Sequence, residues 1–240
     1  MHEPSWRNVL NTGSPGTPAG QLHGERLRRP AAVLWDMDGT LVDTEPYWIA
    51  TEYELADRYG GTWSEEHALS LVGNDLLVSG AYIREHMGID RTPEEIVDEL
   101  LDGVVSRVRQ AIPWRPGARE LLEELRARRV PCALVTMSWM RFVTPIVEQL
   151  APDTFHALVT GDRVEFGKPH PEPYLAAAAL LGVEPSDCLA VEDSNTGAKS
   201  AEAAGCTVLC VPNHVPILEG ERRVFRESLA GLGVDDLWLL

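Results

Sequence analysis

The residues best suited to chemistry are two aspartates, Asp36 and Asp38, which are separated by one residue and followed at once by Gly39. They come directly after an apolar run from Ala31 to Trp35, a pattern that predicts a short buried strand. Glycine lets the backbone turn tightly at the end of that strand. Two carboxylates in this position can hold a hard cation, and one of them can attack or protonate a bound group.

The aspartate pair also fits two simpler interpretations, a surface turn and a calcium-binding loop, because aspartate and glycine are common in both. A calcium loop needs further oxygen ligands at fixed later positions and ends in glutamate. Here the chain continues into apolar Leu41 and Val42, which disfavours the calcium loop. The pair alone does not decide between a turn and a functional site.

A second candidate group, Thr136, Met137 and Ser138, follows the apolar run 132–135. Hydroxyl groups just before a helix can bind an anion together with the free amides of the helix start. They can equally act as a simple helix cap. The two interpretations stay open from these residues alone.

Two more candidates lie further along the chain. Lys168 is held between Gly167 and prolines at 169 and 171, which limits where its ammonium can point and suits a fixed charge, although most lysines are solvated. Glu192 and Asp193 follow the apolar run 188–191. Asp193 could complete a cation site with Asp36, and Glu192 could hold Lys168 or a metal-bound water; the alternative is a surface turn.

From residue 117 onward, helical and strand-like patterns alternate, which predicts an α/β fold with a doubly wound parallel sheet. In such sheets, ligands bind at the carboxyl ends of the strands, where all four candidate groups lie. The predicted strands are 31–35, 132–136, 157–160, 188–191 and 207–211. The predicted helices of this part are 118–125, 142–150, 173–181, 197–204 and a terminal helix within 225–240.

Four helices without an intervening strand are predicted after Thr44, which indicates a helical bundle inserted behind the first strand. The first ends at Gly60-Gly61, the second begins near Ser64 and ends near Gly73, Asn74 caps the third, and Thr92 opens the fourth with a capping box. We therefore predict three parts: a mobile tail over 1–29, a core formed by 30–43 and 115–240, and a helical cap over 44–114.

Composition limits the function classes. The chain has 240 residues, 44% of them hydrophobic, and a net charge of −16, which disfavours nucleic acid and anionic membranes as partners. An anionic substrate would then need a metal ion or local cations. No long apolar stretch or secretory signal is seen, and four cysteines without C-x-x-C spacing predict free buried thiols in a reducing cytoplasm. The oligomeric state is not predicted.

In chain order, the candidate groups are two acids, a hydroxyl, a lysine and two acids. This order resembles the haloacid dehalogenase superfamily, in particular the phosphatases and phosphomutases with a helical cap inserted after the first motif. The resemblance covers about residues 31–211. Residues 36–40 resemble the first motif, Asp-x-Asp-Gly-Thr; Thr136 matches the hydroxyl motif, Lys168 the lysine motif and Glu192-Asp193 the final acidic motif.

The resemblance implies a Mg²⁺-dependent phosphatase of a Rossmann-like core that acts on a small phosphorylated metabolite, such as a sugar phosphate or phosphoglycolate. It implies that Asp36 is the nucleophile and forms an aspartyl phosphate, and that Asp38 is the general acid and base. Mg²⁺ would be held by Asp36, the backbone carbonyl of Asp38, and Asp193. Thr136, Met137, Ser138 and Lys168 would hold the phosphoryl group. In the cap, Trp48 and Asn74 are candidates for substrate specificity.

Three alternatives accompany this prediction. A β-phosphoglucomutase-like enzyme would resemble the chain, but those mutases carry histidine where Trp48 stands and arginine where Leu76 stands. A dehalogenase is disfavoured because that branch lacks the acid at Asp38. A non-catalytic module that binds a phosphorylated ligand is the third, since a fold alone does not imply activity.

Overall fold

The computed structural model describes residues 29–71 and 74–239. Apart from Arg29, the predicted tail lies outside these ranges, as does Gly73. Within them, six strands form one sheet in the order β3-β2-β1-β4-β5-β6, and every neighbouring pair is parallel. The doubly wound α/β fold is therefore confirmed. The strands are β1 Ala32–Trp35, β2 Cys132–Val135, β3 Ala157–Val159, β4 Cys188–Glu192, β5 Thr207–Cys210 and β6 Arg223–Phe225.

The central strand β1 shows how the sheet is covered on both faces. Val33 and Trp35 belong to one hydrophobic cluster and Ala32 and Leu34 to another, as the two-residue period of a strand requires. All four side chains are fully buried, which is typical of parallel strands with helices on both sides. The helices of this part are α5 Ala118–Ala127, α6 Met140–Val147, α7 Glu172–Leu181, α8 Asn195–Ala204 and α9 Val234–Leu237.

Among the described residues between β1 and α5 there are four consecutive helices, as predicted, and they have a hydrophobic cluster of their own. The longest of them, α4, packs in two directions. Ile96 and Leu100 face the cluster of the inserted helices, whereas Leu101 and Val104 join the cluster on one face of the sheet. The insertion therefore shares a packed boundary with the sheet. The four helices are α1 Glu45–Tyr59, α2 Glu65–Leu71, α3 Leu76–Met87 and α4 Pro93–Gln110.

Helix α4 also begins as its sequence predicts. The Thr92 side chain accepts a hydrogen bond from the Glu95 amide, and the Glu95 carboxylate accepts one from the Thr92 amide. Such a capping box satisfies two amides that the helix cannot pair internally. The division of the chain into a core (30–43 and 115–240) and a cap (44–114) stays a prediction.

Two local predictions are wrong. Helix α3 is capped by Asp75, whose Oδ1 accepts hydrogen bonds from the amides of Leu77 and Val78, at 2.9 and 3.2 Å. Asn74, the predicted cap, instead donates its side-chain amide to the Ser70 carbonyl at 2.9 Å. Both residue types cap helices well, so the sequence alone does not choose between adjacent positions.

The second error concerns the predicted terminal helix over 225–240. Phe225 ends strand β6, which pairs with β5, and in the part of this segment that the structure describes the helix is only α9, Val234–Leu237. Gly231 adopts a left-handed backbone with φ of 80°, which interrupts a right-handed helix. A three-residue edge strand carries too short a pattern to distinguish it from a helix start.

The prediction of free, buried cysteines is confirmed: all four cysteines are buried and none forms a disulfide. Burial raises the pKa of each thiol, to about 12 for Cys132, so the thiols stay protonated at neutral pH. No helix within residues 29–71 and 74–239 is both long enough and apolar enough to cross a bilayer.

Candidate active site

The carboxyl ends of three adjacent strands, β2, β1 and β4, bring the predicted residues together around the ammonium group of Lys168. The Lys168 Nζ lies 2.7 Å from the Oδ1 of Asp36, 2.6 Å from the Oε1 of Glu192 and 2.9 Å from the carbonyl oxygen of Val135. These three acceptors follow or end the three strands. The lysine side chain is only 5% exposed, so its three hydrogen bonds fix the charge in a buried position.

The carboxylate of Asp38 is held by three hydroxyl groups. Its Oδ1 accepts from Thr44, and its Oδ2 accepts from Ser138, both at 2.7 Å. Thr136 donates to the same Oδ2 at 3.3 Å. Burial raises the pKa of Asp38 to about 6 even though the three hydrogen bonds oppose the shift, and the nearby charge of Asp36 adds to it. A carboxyl with this pKa exchanges a proton readily near neutral pH.

The position of Asp193 depends on Gly39. This glycine has φ of 89°, and a Cβ atom on it would lie 2.0 Å from the Oδ2 of Asp193. Any other residue at position 39 would therefore displace the carboxylate. Thr40 donates its hydroxyl to the Oδ1 of Asp193 at 3.3 Å. The Asp-x-Asp-Gly-Thr motif thus positions the acid of the last motif as well as its own two acids.

Glu192 serves as the buried counter-ion of Lys168. Its side chain is fully buried, and Tyr174 donates its hydroxyl to the same Oε1 at 2.5 Å. Burial lowers the pKa of the lysine, but the charges of Asp36 and Glu192 outweigh it and raise the net value, so Lys168 stays charged. Gly197 is also needed, because a Cβ atom there would lie 1.9 Å from the Glu192 carboxylate.

The acids around Lys168 suit a divalent cation. Asp36, Glu192 and Asp193 each offer an oxygen, and these oxygens lie within 4.8 Å of one another. The Oδ2 of Asp36 is buried without a hydrogen-bond partner among the described residues. Burial and the neighbouring carboxylates raise the pKa of Asp193 to about 9, which indicates uncompensated negative charge. If all three carboxyls are ionised, one lysine leaves two negative charges uncompensated, and hard dications prefer oxygen ligands.

A cavity of about 560 Å³ extends from these residues towards the inserted helices. Both predicted specificity residues line it, as does Leu76. Trp48 also packs edge-on against Phe142 of α6, with ring centroids 5.4 Å apart, so it joins the insertion to helix α6. The cavity connects Asp36 and Lys168 with side chains of the insertion, as a site for a small ligand requires.

Sequence reasoning missed several residues of this site. Tyr174 lies in an apolar, alanine-rich helix, and nothing in its neighbourhood marks it as a partner of Glu192. Glu45 and Glu52 are seven residues apart in α1 with Trp48 between them, and all three line the cavity. Residues at i, i+3 and i+7 share one helix face, and this spacing was a signal that could have been used.

Glu52 is 4% exposed, and its Oε2 accepts a hydrogen bond from the indole nitrogen of Trp63 at 3.0 Å. Burial raises its pKa from 4.5 to about 7, against the effect of that hydrogen bond. The folded protein therefore favours the protonated form. Between about pH 4.5 and 7 it binds more protons at this residue than the unfolded chain does, so the stability contributed here falls as the pH rises through this range.

The variant Glu52→Gln removes this titration and keeps an oxygen for Trp63. We expect its free energy of unfolding, relative to that of the wild type, to increase by the order of 2 kcal/mol from about pH 4 to pH 8. Denaturant unfolding at the two pH values measures this difference. Glu66→Gln, at an exposed position of α2, is the control and should show no such change. A pH-independent difference for Glu52→Gln would contradict the expectation.

Comparisons with known proteins identify the family of this chain. The profile of the family described as "Haloacid dehalogenase-like hydrolase" matches residues 33–211. Hexitol phosphatase B of Escherichia coli K12 is 30% identical over 189 residues, covering 77% of this chain and 85% of that protein. "Phosphorylated carbohydrates phosphatase" of Thermotoga maritima is 30% identical over 175 residues, with 72% and 81% covered.

Among solved structures, CbbY from Rhodobacter sphaeroides in complex with phosphate has a TM-score of 0.78 and 25% identity. The match covers 87% of this chain and 99% of that one. The fold, the order of the motifs and the relatives thus agree. The chain belongs to the haloacid dehalogenase-like hydrolase family.

Proposed function

We propose that this enzyme is a Mg²⁺-dependent phosphatase that hydrolyses a small phosphorylated metabolite of the sugar-phosphate type through an aspartyl phosphate. The observation that carries the proposal is the fixed contact of the Lys168 ammonium with the Asp36 carboxylate, beside a cavity that reaches the inserted helices. The names of the two phosphatase relatives support a phosphorylated carbohydrate as the substrate class.

In the first step, a carboxylate oxygen of Asp36 attacks phosphorus, and the bond from phosphorus to the leaving oxygen breaks. One oxygen of Asp36 is fixed by Lys168, which keeps the carboxylate in place. The lysine charge also reduces the repulsion between this carboxylate and the phosphate dianion. Lys168 can do this because Glu192 and the Val135 carbonyl hold it from the other side.

Asp38 is the proton carrier of the proposal. As the neutral acid it donates its proton to the leaving oxygen, and as the carboxylate it then takes a proton from the water that attacks the aspartyl phosphate. The second step breaks the bond between phosphorus and Asp36 and releases inorganic phosphate. A raised pKa of about 6 gives Asp38 access to both states at neutral pH.

Thr136, Met137 and Ser138 are proposed to bind the phosphoryl oxygens. In the structure, both hydroxyls donate to Asp38, so they lie at the place where the leaving oxygen is protonated. The Ser138 amide donates to the Thr136 hydroxyl at 3.0 Å, which fixes the turn before α6. Binding of a phosphate group here would exchange some of these contacts.

Asp36, Asp193 and the backbone carbonyl of Asp38 would hold Mg²⁺, with Glu192 behind them as the partner of Lys168. The fit rests on the unpaired Asp36 oxygen and the excess negative charge around Asp193. When bound, the ion would neutralise part of the charge on the attacking carboxylate and the phosphate group.

The proposal is tested by phosphate release from a panel of sugar and polyol monophosphates, together with 4-nitrophenyl phosphate. We expect turnover of the aryl ester and of at least one metabolite, complete loss with EDTA, and recovery when Mg²⁺ is restored. A mutase would instead interconvert sugar phosphates and release little phosphate, and a binding module would bind without turnover. Either result, with Mg²⁺ present, would contradict the proposed function.

A further inference from the structure

The cavity is also lined by two acids, Glu45 and Glu52, that the proposed reaction does not use. Both lie in α1 on the face that carries Trp48, and all three side chains line the cavity. Seven residues span two helical turns, so Glu52 lies about 10 Å beyond Glu45 along the helix axis. Thr44, whose hydroxyl donates to the Oδ1 of Asp38, directly precedes Glu45, so Glu45 is the member of the pair nearer to the proposed proton carrier.

Only one of the two carboxylate oxygens of Glu52 is hydrogen-bonded within the described residues. Trp63 holds its Oε2, while no hydrogen bond links its Oε1 to any residue within 29–71 and 74–239. Glu45, which is half-buried, likewise has no side-chain hydrogen bond within those residues, and burial raises its pKa to about 7. A buried acid such as Glu52 that leaves an acceptor oxygen without a protein partner beside a cavity is typical of a binding position.

The charges around the cavity define what can enter it. Among the described residues that line it are six carboxylates, but only one lysine and one histidine. Lys168 is already bound by Asp36 and Glu192, and the histidine, His214, lies 2.9 Å from a carboxylate oxygen of Asp43. No described cation therefore remains on the cap side to receive a second phosphate or a carboxylate of the substrate. Hydroxyl groups, which donate hydrogen bonds, suit this wall better.

We propose that Glu52, with Glu45, accepts hydrogen bonds from the hydroxyl groups of a neutral polyhydroxylated leaving group and so selects polyol monophosphates over anionic or apolar ones. The proposal rests on the proposed phosphatase function and adds the substrate class and the residues that recognise the substrate. Trp63 makes Glu52 the fixed member of the pair, because it orients one oxygen and leaves the other for the ligand. Glu52 is thus a specificity-determining residue and does not touch the reacting atoms.

The test compares kcat/KM for sorbitol 6-phosphate, hexyl phosphate and 4-nitrophenyl phosphate in the wild type and in Glu52→Gln. Glutamine preserves the contact with Trp63 and replaces the other carboxylate oxygen by a donor. We expect the wild type to prefer sorbitol 6-phosphate over hexyl phosphate. In the variant, the ratio of these two kcat/KM values should fall at least about tenfold, mainly because the KM for sorbitol 6-phosphate increases. All three kcat/KM values should stay within about twofold of the wild type in the control Glu66→Gln.

The outcomes separate this inference from the proposed function. If the wild type hydrolyses none of the three esters, the proposed function fails. If it hydrolyses 4-nitrophenyl phosphate but does not prefer the polyol ester, or prefers it equally in Glu52→Gln, this inference alone is overturned. Glu45→Gln is the second variant if Glu52→Gln is not soluble, and it should weaken the same preference without the Trp63 contact being involved. Fructose 1,6-bisphosphate is measured as well, as the anionic ester, and a wild-type preference for it over sorbitol 6-phosphate would also overturn the inference.

Discussion

The variant Asp36→Asn is expected to lose at least about 10⁴-fold in kcat, because an amide cannot form the acyl phosphate that the proposed reaction needs. The fold should be retained. The asparagine oxygen can still accept a hydrogen bond from Lys168, and the lysine keeps its contacts with Glu192 and the Val135 carbonyl. Steady-state hydrolysis of 4-nitrophenyl phosphate measures the loss.

Thermal unfolding provides the control for Asp36→Asn. The substitution removes one negative charge from a cluster in which burial and neighbouring charges raise the pKa of Asp193. We therefore expect the melting temperature to stay the same or to increase. A variant that keeps wild-type kcat would show that Asp36 is not the nucleophile, and a variant that loses activity only together with its fold would leave Asp36 with a structural role.

Replacing Lys168 is expected to reduce both activity and stability. Lys168→Met removes the charge that faces the phosphate group, which should lower kcat by about 10³-fold. It also leaves Glu192, which is fully buried, without its counter-ion. Loss of one member of a buried ion pair costs about 3–5 kcal/mol, so the melting temperature should fall as well. Kinetics and denaturant unfolding measure the two effects.

The double variant Lys168→Met with Glu192→Gln separates the two roles of the lysine. Removing both charges should restore part of the stability lost in the single variant, because Glu192 is no longer an unpaired buried charge, whereas the Asp36 carboxylate still lacks its lysine contact. Tyr174 can still donate its hydroxyl to the amide oxygen at position 192. Activity should stay low in the double variant. If activity recovers together with stability, the lysine acts only through the fold.

The parts of this site that the sequence predicts are those at strand ends. Asp36, Thr136 and Asp193 follow buried apolar runs, and the carboxyl ends of neighbouring parallel strands meet at one edge of the sheet. Their convergence therefore follows from the alternation of helices and strands. That the chain is a phosphoric monoester hydrolase of this family was likewise predictable, since its four motifs occur in the expected order and the relatives bear it out.

The parts of the site that the sequence does not predict depend on packing between distant segments. In the sequence, nothing distinguishes Tyr174 from the apolar residues of its helix. Only the structure shows that its hydroxyl donates to Glu192. Glu52 looks like a solvated acid until Trp63 covers it from the loop before α2. Acids on helices are usually exposed, so only the contact itself shows that this one is buried.

The stereochemical course at phosphorus tests the central claim, that the phosphoryl group passes through a carboxylate of the enzyme. A chiral thiophosphate ester labelled with oxygen-18 is hydrolysed in water enriched in oxygen-17, and the configuration of the released thiophosphate is determined. Two successive in-line displacements, by Asp36 and then by water, predict retention of configuration. Inversion would mean that water attacks the substrate directly, and it would contradict the account.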